Sequence, residues 1–104
     1  MPALRLLFFL IGLFLGLLPI AASSETIRKA CLQSERGAGQ SRLCQCLQQV
    51  AVGRLSARDQ RQVADFFKDP EEAERVRRSD TRRNEAFWDR YETFSESARK
   101  ICRK

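Results

Sequence analysis

The sequence predicts an all-α fold, a small bundle of four to five short helices stapled by two disulfides, and three observations predict it. Apolar residues recur at spacings of three and four, most clearly at Phe87, Tyr91, Phe94, Ala98 and Ile101. No stretch alternates apolar and polar residues as a half-buried strand would. Residues that start and stop helices, such as Gly37-Ala38-Gly39, Ser56 and Asp69-Pro70, separate the periodic segments.

The first 22 residues read as a targeting segment that precedes the bundle. Leu6 to Ile20 is a run of 15 residues drawn only from Leu, Phe, Ile, Gly and Pro. Arg5 stands before it and Ala21-Ala22-Ser23-Ser24 after it, the three-part layout of a cleavable secretory signal peptide. The run falls short of the roughly 20 apolar residues that span a bilayer. If it is not cleaved, the alternative is a protein anchored in the inner membrane. Residues 23–104 are then the folded domain, exported to the periplasm or secreted.

Ser24 to Thr26 opens a first helix of about ten residues, with Ile27, Ala30 and Cys31 on one side, and Gly37-Ala38-Gly39 ends it. A second helix runs from Gln40 or Ser41 to Leu55. On a wheel of 100° per residue, Leu43, Leu47 and Val50 fall within about 60° of one another and make an apolar seam. Cys44 and Cys46 flank that seam on opposite sides, about 100° and 60° from Leu43.

Ser56 suits the N-cap of a third helix, with Asp59 at its third position facing the free amides and Val63, Ala64, Phe66 and Phe67 on its buried side. Asp69 then caps a fourth, Pro70 takes its first position, and Glu71 and Glu72 oppose its positive end. Only Ala73 and Val76 give this helix anything to bury, which places it on the surface. Asp80 or Thr81 starts the last helix, whose aromatic stripe is a core face with Trp88 and Cys102 at its margins. Arg99, Lys100, Arg103 and Lys104 suit its negative end.

The four cysteines, Cys31, Cys44, Cys46 and Cys102, all lie in the exported part, where an even count reads as a disulfide framework. A bond between Cys44 and Cys46 conflicts with helical geometry, since their side chains diverge by about 200°. Each therefore pairs with Cys31 or Cys102, in an order the spacing leaves open. One bond ties the second helix to the first and the other ties it to the last. At 82 residues, the domain needs such staples, because one core of this size supplies only about 3–5 kcal/mol.

The composition excludes several kinds of chemistry. The chain has no histidine and only the initiator methionine. That removes the commonest general base and the supporting ligands of a metal site, so no catalytic, metal or cofactor residue is nominated and an enzyme is not expected. Removing residues 1–22 removes Arg5 alone, leaving 18 Lys+Arg against 13 Asp+Glu, a formal charge of +5. The densest basic run, Arg75, Arg77, Arg78, Arg82 and Arg83, is the candidate surface for anionic lipid or cell-wall polymer, and another exported protein is the further partner class. Nucleic acid is not expected. Glu71 with Arg75 and Glu74 with Arg78 have the spacing of helical ion pairs.

Cys31, Leu43-Cys44-Gln45-Cys46-Leu47-Gln48-Gln49-Val50-Ala51, Ser56 to Gln60, Phe66-Phe67-Lys68-Asp69-Pro70, and Phe87-Trp88-Asp89-Arg90-Tyr91 through Cys102 resemble a family of small exported four-cysteine bacterial proteins of unknown function. Some similar sequences carry the label of arginine transporter. The resemblance implies export and a helical scaffold. It also implies an alternative function, an accessory role in transport of a basic solute, for which Glu92 and Glu96, one turn apart, are the local acidic pair.

Overall fold

Every predicted helix forms, and most ends fall at the side chains expected to start or stop them. The computed structural model describes residues 25–103. The expected signal peptide, residues 1–22, lies outside the described residues. Helix α1 spans Thr26–Gln33, α2 Ser41–Arg54, α3 Ala57–Lys68, α4 Pro70–Arg77 and α5 Arg82–Ile101. Among the described residues there is no strand.

Three of the helices begin on their own side-chain caps. Ser56 Oγ accepts the Asp59 amide at 3.1 Å, Asp69 Oδ1 accepts the Glu71 amide at 3.1 Å, and Thr81 rather than Asp80 accepts the Asn84 amide at 3.2 Å. Helix α1 has no such cap from Glu25. Its first amides are satisfied from another helix instead: Gln48 Oε1 of α2 accepts from Ile27 N–H at 2.8 Å and from Arg28 N–H at 3.1 Å. The Gln48 amide nitrogen then donates to Gln60 Oε1 at 2.9 Å, and Gln60 donates to the Leu55 carbonyl at 3.1 Å. Both glutamines are buried, so the chain of bonds ties the start of α1, the middle of α2 and the start of α3 together with no polar atom wasted.

The principal contacts close a ring. Helix α1 rests on α2 and α3, α2 on α5, α5 on α4 and α4 on α3. Ile27, Ala51, Val63, Phe66, Phe87 and Phe94 meet in one buried cluster. Phe66 is its centre, with ring edges set against Phe87 at 5.8 Å and Tyr91 at 5.3 Å. Helix α4 contributes Val76, with Glu72 and Ala73 half-buried, and its other residues are exposed, as its composition predicts.

The two disulfides are Cys31–Cys44, joining α1 to α2, and Cys46–Cys102, joining α2 to the residue after α5. Under the first bond the chain turns at Gly37, where a Cβ would overlap the Cys31 carbonyl and lie 2.8 Å from its sulfur. Gly37 is the residue that permits this close approach.

Two expectations are corrected. The buried face of α2 is not the Leu43, Leu47, Val50 seam; it is Cys44, Gln48 and Ala51, continued by Leu55 just past the helix end, with Val50 at its edge, while Leu43 is 36% exposed. Cys44 is drawn inward to α1 and Gln48 to the α1 amides, and together they roll the helix by about one residue, or 100°. Ile101, expected on the core stripe of α5, is 59% exposed. The bond to Cys46 sets the roll of the helix end, and the neighbouring residue is turned outward.

Candidate functional site

Leu43 and Leu47, the part of the seam that α2 does not bury, face a groove. Leu43 and Leu47 of α2, Phe67 of α3, and Tyr91, Phe94 and Ala98 of α5 line it, around an open volume of about 580 Å³. Cys102 lies at one end. The Cys46–Cys102 bond ties α2 to the end of α5 beside this groove, with the two cysteine Cα atoms 5.8 Å apart.

The groove has one sign of charge. Arg99, Lys100 and Arg103 line it, and among the described residues no carboxylate does. Arg99 is steered by Ser95, another lining residue, donating to its carbonyl at 3.5 Å and to its Oγ at 3.3 Å. Burial pushes the Tyr91 phenol above its ordinary pKa, and the Arg99 charge works in the opposite sense. The base of the groove is therefore apolar and its exit cationic.

The arginines nominated from sequence are differently placed. Arg75 is gripped by Glu72 at 2.6 Å and Asp69 at 2.8 Å, with Glu71 at 3.9 Å. These hydrogen bonds and charges, Glu72 first, hold its guanidinium above the ordinary pKa. Arg77 pairs with Glu74 at 2.7 Å, which replaces the expected Glu74–Arg78 pair. Hydrogen bonding from Arg77, and then the charges of Arg77 and Arg78, keep the Glu74 carboxyl below its usual range against the opposing effect of its partial desolvation. Arg78 donates instead to the Glu74 carbonyl at 3.4 Å. Arg82 and Arg83 are exposed. The five do not make one free cationic face: its acidic neighbours on α4 compensate two of them directly.

Glu92 and Glu96 are both exposed and neither lines the groove. Glu92 accepts the indole N–H of Trp88 at 2.8 Å. Among the described residues no cluster of three Cys, Asp or Glu could hold a metal ion.

Sequence reasoning missed the Asp59–Arg90 pair. Asp59 is 6% exposed and its carboxylate receives both Nε and Nη2 of Arg90, at 2.7 and 3.0 Å, joining α3 to α5. Arg90's hydrogen bonds first, and then its charge and Ser56, hold the Asp59 carboxyl below the usual range against the opposing effect of burial. Asp59 thus reaches across the bundle while keeping part of its expected role at the start of α3. The signal for this was slight: an acid at a cap position and an arginine on the polar side of α5 have ready local explanations.

Compared with known proteins, the chain matches no family model, no curated protein sequence and no solved structure.

Proposed function

We propose that the protein is an exported small helical binding module, kept folded by its disulfides in an oxidising compartment. The observation that carries this reading is the pairing of all four cysteines, because such bonds persist where the surroundings are oxidising. Helices of this length supply a modest core, and in the chain-entropy account the two bonds add about 3 and about 4 kcal/mol by restricting the unfolded chain. Among the described residues no helix is long and apolar enough to cross a membrane.

Binding rather than catalysis fits the side chains. The sequence has no histidine, and the one buried carboxylate among the described residues, Asp59, is committed to Arg90. A carrier of a basic solute needs converging carboxylates, whereas the groove is rimmed by cations. Charge complementarity favours an anionic partner.

Mass spectrometry of exported material, before and after thiol alkylation, tests the reading. The expected species corresponds to residues 23–104 and takes up no alkylating agent until reduced. A chain that stays in the cytoplasm with reactive thiols overturns it.

A further inference from the structure

We infer that the groove between α2 and α5 binds a single-chain amphiphile with an anionic head, of the chemical class of a long-chain carboxylate. This deepens the binding-module reading and rests on it. The chain of the ligand would lie between Leu43 and Leu47 on one side and Phe94 and Ala98 on the other, with its head beside Arg99, Lys100 and Arg103.

Three observations carry the assignment. First, Leu43 is 36% exposed and Leu47 half-buried, so the α2 side of the groove offers apolar surface to a ligand over the buried Phe94 and Ala98. Second, its volume of about 580 Å³ falls in the range of small-molecule sites. Third, the cations are confined to one end. Arg99 is held there by the neutral Ser95, and among the described residues no acid of the rim compensates it, unlike Arg75 and Arg77 on α4. An apolar slot that ends in uncompensated cations is complementary to a molecule with an apolar tail and one acidic end. A basic or neutral amphiphile would leave that rim unanswered.

The test is calorimetric titration of the fully oxidised protein with octanoate, decanoate and dodecanoate below their micelle concentrations. Trp88, the one tryptophan of the chain, packs on Tyr91 at 4.9 Å and supplies a fluorescence readout at the base of the groove. Affinity is expected to rise about two- to fourfold per added methylene, the gain that burying part or all of a CH₂ group provides. Replacing Arg99, Lys100 and Arg103 together by glutamine should weaken dodecanoate binding roughly tenfold, with helical content unchanged. Leu47→Gln should weaken it with the rim intact, and R82Q with R83Q should leave it unaltered.

Equal affinity for dodecanol or dodecyltrimethylammonium overturns the anionic head. Binding to anionic phospholipid vesicles without binding to free dodecanoate overturns the single-chain ligand in favour of a bilayer surface. An exported, doubly oxidised protein that binds none of these probes overturns the groove assignment and leaves the export reading standing; a cytoplasmic protein with free thiols removes both.

Discussion

The two disulfides have the same chemistry and opposite surroundings. Cys31 and Cys44 are 1% and 0% exposed, sealed under Gly37 beside the buried glutamine chain. Cys46 and Cys102 are only half-buried, each beside an open surface of the α2/α5 end. The sealed side is a device for stability, with every polar group answered. On the open side Leu43 is 36% exposed and Leu47 half-buried, beside a staple that ties α2 to the end of α5. One covalent link is thus sealed in the core and the other stands beside an open groove.

Complete reduction is the largest perturbation of that comparison. Losing both bonds removes about 7 kcal/mol in the chain-entropy account, comparable with the whole stability of a small domain, so circular dichroism should show unfolding in strong reductant. Limited reduction sharpens the contrast, since thiol exchange depends on access to the sulfur. Cys46 and Cys102 should be alkylated before Cys31 and Cys44 in a timed digest; the reverse order would break the distinction between an open and a sealed staple.

Gln48→Leu attacks the sealed side alone. It strands the Ile27 amide and one end of Gln60 in the core, and the expected cost is about 1–3 kcal/mol by denaturant unfolding. A change near zero would mean that the glutamine chain is incidental to the docking of α1.

Asp59→Asn probes the link between α3 and α5. Arg90 is 47% exposed at its side chain, so solvent screens the pair and the loss should be about 1 kcal/mol at neutral pH. The Asp59 carboxyl is held below its unfolded value of about 3.9, so its contribution is complete above that pH and disappears as pH falls through the lower, folded value. The stability difference between parent and D59N should therefore shrink on acidification below about pH 4. A difference that persists there would place the effect in packing rather than charge.

Leu43→Gln should have the smallest effect on stability, within about 0.5 kcal/mol, because the residue is already 36% exposed at the groove wall. A large loss would show that the groove closes in solution and that Leu43 is core after all.

Helical period, caps and glycine turns were enough to read the five helices, because each depends on residues within a few positions of it. Ser56, Asp69-Pro70 and Thr81 act on amides two or three residues away, and Phe87, Phe94 and Ala98 are buried as their spacing predicts. The groove was legible only in part. Its apolar wall was visible as the Leu43, Leu47, Val50 seam, but a seam looks the same in sequence whether it is covered or open.

By itself the sequence determined the fold class, the helix boundaries to within a few residues, and the need of Cys44 and Cys46 for separate partners, since these follow from local hydrogen bonding and from 100° of rotation per residue. The tertiary structure decided the pairing of Cys31 with Cys44 and Cys46 with Cys102. It also decided the roll of α2 that hides Gln48 and bares Leu43, the joining of Asp59 to Arg90, and which cations stand uncompensated. Those outcomes depend on contacts between residues distant in the chain, where several pairings satisfy the same local rules and only simultaneous packing of all five helices selects among them.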